Sequence, residues 1–372
     1  MPAFGPRELI ADVFGRDLCV ACGACVDLCP YFRTYRGKTV QMFPCDLPAG
    51  KCYADCPKAE VDLDILAEKY WGGPYEGNAL GHTLEIMTAR AGKKTPKGTF
   101  QAGGTASSLI AFALQTGLIE AAILTDQEGL IPVPRMITRA EDAVTCASSK
   151  YTAAPTLSGF NRALRNGYSR LGVVATPCQA TALAKMRTNP LDRDDFRDPV
   201  GLVVGLFCTW AVDTRGLVFL LSSRLDPRRV RKMDIPPPPA EILVLDTEEG
   251  RVEIPLGDIR QLIPKGCLIC PDMTAEWADV SVGVLEGEPN WNTLIVRTQR
   301  GQDLVKRAEA EGWLVTGIMP DENRGRLSFS AAGKKSRALR RALEEGLVNT
   351  TEGNGRSSLR INAEALQRIT RE

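Results

Sequence analysis

Two stretches of this chain are apolar without alternation. Residues 171–176 read Leu-Gly-Val-Val-Ala-Thr, and residues 200–207 read Val-Gly-Leu-Val-Val-Gly-Leu-Phe. That pattern predicts strands buried on both faces, as in a parallel sheet. The first run stops at Pro177-Cys178-Gln179 and feeds a helix-like Ala-Thr-Ala-Leu-Ala-Lys; the second ends at Cys208. A further strand is expected over 121–125. Helical spacing over 109–115 follows a glycine-rich turn. Other helices are expected over 63–75 (with an exit linker), around 158–165, and as amphipathic segments over 304–312 and 336–347. Residues 213–259 read as a less regular insertion with strand-like pieces, and the prolines at 236–239 as a rigid spacer. The polar tail after Asn349 is expected to dock on a neighbour or stay mobile. The fold class is α/β (α+β), with a mixed or parallel sheet.

Composition narrows the chemistry. At 372 residues there is room for two or three domains and a well-buried core. The net charge of +1 argues against nucleic acid or an anionic membrane as partner. No stretch approaches the roughly 18 apolar residues of a membrane span, and the first residues have no signal-peptide core. A cytoplasmic location is expected. Twelve cysteines without an export signal point to metal and away from disulfides. The single histidine, His82, reads as a surface or packing residue, and its solitude argues against a histidine triad or a histidine-rich metal site.

The cysteine spacing carries most of the signal. Cys19-x2-Cys22-x2-Cys25-x3-Cys29-Pro30 is the run that wraps a cubane iron–sulfur cluster, with Gly23 giving the loop its backbone freedom. In two-cluster ferredoxins the fourth cysteine of such a run serves the other cluster. Cys19, Cys22, Cys25 and Cys56 are therefore assigned to one 4Fe–4S cluster, and Cys29, Cys45 and Cys52 to a second. The second set lacks a cysteine, so three states stay open: a 3Fe–4S cluster, a 4Fe–4S cluster with a ligand such as Asp46, or no cluster. Zinc is the competing reading, but it favours cysteine pairs from separate knuckles. Further on, Cys178, Cys208, Cys267 and Cys270 make four thiolates, the number one more 4Fe–4S cluster needs. Cys178 and Cys208 both fall at carboxyl ends of predicted strands, where open α/β sheets bind ligands. Cys146 is left over as a structural cysteine.

Two polar motifs accompany the thiolates. Gly103-Gly104-Thr105 opens a helix, where exposed amides attract phosphate, although a plain helix cap reads equally well. Ser149-Lys150-Tyr151 places a lysine among hydroxyls, which suits an anionic ligand; a solvated loop is the default.

Taken with Thr176-Pro177-Cys178-Gln179, Phe207-Cys208, Cys267-x2-Cys270-x-Asp272, Ala278-Asp279-Val-Ser-Val-Gly283 and Trp291-Asn292-Thr293 through Arg297, Thr298 and Gly301, these motifs run in an order that resembles one family. It is the beta subunit of coenzyme F420 hydrogenases and dehydrogenases, a family of iron–sulfur flavoproteins. The resemblance covers roughly residues 75–333. It implies an FAD beside one 4Fe–4S cluster. Gly103, Gly104, Thr105, Ser149, Lys150 and Tyr151 would serve the flavin's phosphate and ribityl side, and Thr176, Gln179, Asn292, Thr293 and Arg297 the isoalloxazine or its substrate. The family usually shows glycine before Ser-Lys-Tyr; here Ser148 stands there.

The expected organisation is a ferredoxin-like iron–sulfur domain over 1–74, an FAD and 4Fe–4S domain over 75–333 with an insertion at about 213–259, and a C-terminal helix and tail over 334–372. The expected function is an oxidoreductase subunit that exchanges a hydride at FAD with coenzyme F420, NAD(P) or a similar soluble carrier. Single electrons would pass through the clusters to or from a hydrogenase, a formate dehydrogenase, a heterodisulfide-reductase-like complex or ferredoxin. The alternatives are a pure electron relay without its own substrate and a reductase of an organic, tetrapyrrole-like compound.

Overall fold

The computed structural model describes residues 4–236, 239–350 and 353–371. Its centre is a mixed sheet of β1 (Glu85–Ala91), β2 (Ala121–Glu128), β3 (Ile131–Ile137), β4 (Leu171–Ala175), β5 (Val200–Leu206), β6 (Val280–Val284), β7 (Asn292–Val296) and β8 (Leu314–Ile318). The spatial order is β8-β1-β7-β6-β5-β4-β2-β3. The four inner strands β2, β4, β5 and β6 run parallel, and antiparallel neighbours flank them on both sides.

The apolar runs follow from this position. Ile123, Val173, Ala175 and Val203 face one core, while Ala122, Leu202, Val204 and Val280 face the other. The first core is closed by Leu157 and Phe160 of α3 (Thr156–Arg165) and Leu183 of α4 (Pro177–Arg187). The second is closed by Leu109 and Phe112 of α2 (Thr105–Gln115) and Leu304 of α5 (Gln299–Ala310). Strand β3 is an edge strand carrying Pro132 and Pro134, which an edge tolerates and an inner strand does not.

The N-terminal segment packs into the main body. Leu9, Val13, Leu18, Phe32 and Tyr53 form its own small core, beside a hairpin of Phe32–Tyr35 and Lys38–Gln41. Gly23 sits at φ +86°, and a Cβ there would lie 2.6 Å from the Pro155 carbonyl oxygen, so only glycine lets this loop touch the start of α3. Leu157 donates its backbone N–H to the Cys22 carbonyl at 3.1 Å. Helix α1 (Leu63–Trp71) follows, capped by Asp62, which accepts from the backbone of Asp64 and Ile65.

The insertion is more regular than its sequence suggests. Val230–Asp234, Ile242–Thr247 and Gly250–Pro255 form a three-stranded antiparallel sheet over a core with Leu217, Leu243 and Ile254. Of the proline spacer, Pro237 and Pro238 lie outside the described residues.

Two expectations for the C-terminal part are corrected. Helix α6 (Asp321–Glu344) starts well before residue 336, because its first turns are largely solvated and carry no apolar stripe; Phe329 is 83% exposed. The tail docks on this chain itself. Leu359–Ile361 pairs in parallel with Val61–Asp62 and with Val348–Thr350, and α7 (Ala363–Arg371) packs on α6. Ion pairs Arg356–Asp12 and Arg360–Glu60, both at 2.7 Å, tie the tail to the N-terminal segment.

Candidate functional site

All twelve cysteines are free thiols. Cys19, Cys22, Cys25 and Cys56 line one void of about 330 Å³, with Val13, Phe14 and Thr39 among its walls. Burial pushes all four thiols up, Cys56 to about 11, and neighbouring thiols add to the push at Cys22 and Cys25. Free thiols in such a place stay neutral at pH 7. A cationic metal core reverses that preference, because a coordinated thiol ionises. The loop is held from behind by Asn161 of α3, whose Nδ2 donates to the carbonyls of Ala24 at 3.0 Å and Val26 at 2.7 Å. Among the described residues, no three His, Cys, Asp or Glu side chains converge on a point as a single metal ion needs. The thiols surround a volume, which suits a cluster.

The second set lies farther out. Burial first, then the neighbouring Cys29 and Cys45, push the Cys52 thiol up to about 12. Asp46 does not turn toward them: its carboxylate meets the Arg7 guanidinium at 3.1 Å and is 84% exposed. This removes the observation that would favour Asp46 as a ligand and leaves three thiols.

The third set forms where the parallel strands end. Cys178 opens α4 directly after β4, and Cys208 follows β5, whose backbone pairs with β4 in parallel register. Burial drives both thiols up, Cys178 to about 12, and the nearby Cys267 and Cys270 add to it at each. Cys208 donates its N–H to the Met273 carbonyl at 2.9 Å, which draws the 267–273 loop onto the strand end. Gly266 brings that loop against the N-terminal segment, since a Cβ there would lie 2.1 Å from the Leu18 carbonyl oxygen. Cys178 and Cys270 line a second void of about 470 Å³, and Pro57 and Lys58 are walls of both voids. The three sets are contiguous: after burial, Cys178 is the largest influence on Cys22, and Cys52 also acts on Cys25.

The glycine-rich turn and the Ser149-Lys150-Tyr151 motif meet through Gln101. Gly104, at φ +76°, caps α2, and the Thr105 N–H donates to Asn292 Oδ1 at 3.2 Å. The Thr105 hydroxyl is fully buried without a hydrogen-bond partner among the described residues. Gln101 joins the motifs: its Oε1 accepts from the Ser149 N–H at 3.5 Å, and its Nε2 donates to Asp234 at 2.7 Å. The Tyr151 hydroxyl donates to the same carboxylate at 3.4 Å, and Lys150 Nζ binds the carbonyls of Cys146 and Ser148. An orphaned hydroxyl beside a glycine turn at a helix N-terminus fits a phosphate-bearing cofactor.

Other carried-over residues lie elsewhere. Thr176 and Gln179 form the capping box of α4 beside Cys178, and Gln179 Nε2 donates to Ala154 and Thr156. Thr293 is buried in β7. Arg297 is 1% exposed, and its guanidinium is committed to Ser281, Leu80, His82 and Thr274, which leaves it no donor for a ligand. His82 is a packing residue: its ring stacks on Trp71 at 5.0 Å, and Trp71 in turn on Trp277 at 4.7 Å. Sequence reasoning missed Asn161, Gln101, Asp234 and the buried lysines Lys58, Lys185 and Lys334. Lys58 directly after Cys56-Pro57, Gln101 two residues before Gly103, and Lys185 at the end of the segment after Cys178-Gln179 sat close enough to a motif to be noticed.

Buried thiols grouped around voids, without disulfides and with a cubane-type run, define an iron–sulfur protein. The comparisons agree and go further. Residues 13–31 match the 4Fe-4S binding domain, residues 86–161 the N-terminal model of the coenzyme F420 hydrogenase/dehydrogenase beta subunit, and residues 168–322 its C-terminal model. The chain belongs to that beta subunit family. It is 30% identical over 266 residues to the coenzyme F420 hydrogenase subunit beta of Methanothermobacter thermautotrophicus, covering 70% of this chain and 94% of that one. It is 29% identical over 315 residues to the coenzyme F420-dependent sulfite reductase of Methanocaldococcus jannaschii, covering 80% of this chain and 47% of the reductase. Among solved structures, a chain of the F420-reducing [NiFe] hydrogenase complex from Methanosarcina barkeri superposes with a TM-score of 0.63 at 25% identity, over 72% of this chain and 93% of that one. No helix among the described residues is long and apolar enough to cross a membrane.

Proposed function

We propose that this chain is the electron-transfer subunit of an F420-linked oxidoreductase complex. It exchanges a hydride with coenzyme F420 or a similar soluble carrier at an FAD, and passes single electrons through its iron–sulfur clusters to or from a partner. A bound flavin handles electrons in pairs or singly and each cluster carries one, so together they couple the two kinds of transfer. The observation that supports this best is the grouping of the thiols around adjoining voids, Cys19, Cys22, Cys25 and Cys56 at one and Cys178 and Cys270 at the other, with Pro57 and Lys58 in the walls of both.

The residues divide the work. The α2 N-terminus, Thr105 and Lys150 bind and orient the phosphate side of the flavin, with Gln101 holding the two loops together. Asn292 fixes the turn from β7. Cys178, Cys208, Cys267 and Cys270 hold the cluster of the main sheet, and Trp277, stacked on Trp71, forms part of the wall of the void beside it. The N-terminal thiols hold the exit clusters.

The experiment compares stopped-flow flavin reduction by reduced F420 with steady-state reduction of a one-electron dye, for the wild type and Cys52→Ser. The proposal expects unchanged flavin reduction and loss of most dye reduction in the variant. Equal dye rates would refute the exit route, and a flavin inert to reduced F420 would favour the pure relay.

A further inference from the structure

Lys58 occupies an unusual place. It follows Cys56 and Pro57, is 5% exposed, and lines both the void of Cys19, Cys22, Cys25 and Cys56 and the void of Cys178 and Cys270. Its backbone is pinned from the far side, where the Ser358 hydroxyl donates to its carbonyl at 2.9 Å. Two other buried lysines near the thiols are satisfied. Lys185 Nζ donates to the carbonyls of Cys56 and Ala59, and Lys334 Nζ to those of Cys208 at 2.7 Å and Asp272 at 2.6 Å. The Lys58 ammonium makes no hydrogen bond or ion pair with any described residue. An uncommitted ammonium in the wall of two voids suits an anionic neighbour. A cubane held by four thiolates is such an anion, and thiols of both sets line the voids that Lys58 lines.

Cys19, Cys22, Cys25 and Cys56 share one void with Lys58, and Cys178 and Cys270 share the other with it. Its field therefore reaches both sets. Reduction adds one negative charge to a cluster, and a nearby buried cation, little screened by salt, favours that reduced form.

We propose that Lys58 is the shared electrostatic bridge between the two clusters, raising the reduction potential of both and so favouring electron residence on the pair through which the chain's current runs. This deepens the proposed function and rests on its cluster assignments. Lys58 is a positioning charge and ligates nothing.

The test is an anaerobic redox titration of the full chain followed by electron paramagnetic resonance, with iron analysis, for wild type, Lys58→Met and Lys58→Arg. In Lys58→Met both cluster signals should titrate at lower potential, each by at least tenfold in its one-electron equilibrium, about 59 mV. Iron content should be unchanged, and Lys58→Arg should return both midpoints to within threefold of wild type. Unchanged midpoints at full iron content would overturn the inference. So would a shift confined to one cluster, since a bridge acts on both. Iron loss in Lys58→Met would make Lys58 a packing residue and overturn it as well. A wild-type chain without these two clusters would overturn the assignment beneath it, and is recognised from the wild-type iron count alone.

Discussion

Replacing Asn161 by leucine removes the rear anchor of the N-terminal cysteine loop while keeping most of the side-chain volume. Asn161 is 3% exposed, and its amide spends both hydrogens on the Ala24 and Val26 carbonyls, with the Gly23 carbonyl 3.5 Å away. The leucine leaves two buried carbonyls bare. At about 1–3 kcal/mol for each unsatisfied group, the closed loop should lose about 2–6 kcal/mol. That corresponds to roughly a 30- to 20,000-fold rise in the open population of this segment at about 1.4 kcal/mol per factor of ten. Iron release to a strong ferrous chelator under anaerobic conditions reads that population, because the chelator reaches the cluster only when the loop opens. Arg162→Ala is the control on the same helix: Arg162 is half exposed, and Asp27, its partner at 3.0 Å, keeps Arg33 and Arg165, so the loss should cost under about 1 kcal/mol. If Asn161→Leu released iron within threefold of wild type, Asn161 would not be the anchor and the packing argument for the loop would fail.

Three further outcomes follow from particular contacts. Lys335 and Glu276 are each 2% exposed and pair at 2.7 Å, so Lys335→Met should lower stability by about 3–5 kcal/mol in thermal unfolding; Lys335→Met with Glu276→Gln should recover part of it, and a single-variant loss under about 1 kcal/mol would contradict the pair's burial. Gly266→Ala should separate the 267–273 loop from Leu18 and remove at least one cluster, about 4 iron atoms by analysis; full iron content would show that the contact is dispensable. Asp46→Ala should leave iron content unchanged, because its carboxylate faces Arg7 and solvent; a loss of about 3–4 iron atoms would return Asp46 to the ligand set.

The inner parallel strands were legible because burial on both faces writes itself into the sequence as an unbroken apolar run, as in β4 and β5. Their cysteines were legible for the same reason: the run ends abruptly at Cys178 and Cys208. Strand β3 was hidden by Pro132 and Pro134, which only an edge position tolerates. The closing of the tail on Val61–Asp62 was hidden because a three-residue strand and a polar loop carry no periodic signal, and the pairing partner lies about 300 residues away in sequence. At the site, spacing could list thiols but could not show that Asn161 supports their loop or that Lys58 lines the voids of two sets. Arg297 shows the opposite case. A motif position near a ligand in a family is here wholly engaged by backbone carbonyls and hydroxyls, which no spacing reveals.

The central claim is that three thiol sets in one chain hold three clusters in series. Iron and acid-labile sulfide per chain, measured on anaerobically isolated wild type and Cys178→Ala, test it most directly. The account predicts about 11–12 iron atoms for the wild type, with sulfide in proportion, and a loss of about 4 in Cys178→Ala that spares the N-terminal clusters. Zinc in place of iron, or a Cys178→Ala chain with undiminished iron, would contradict it.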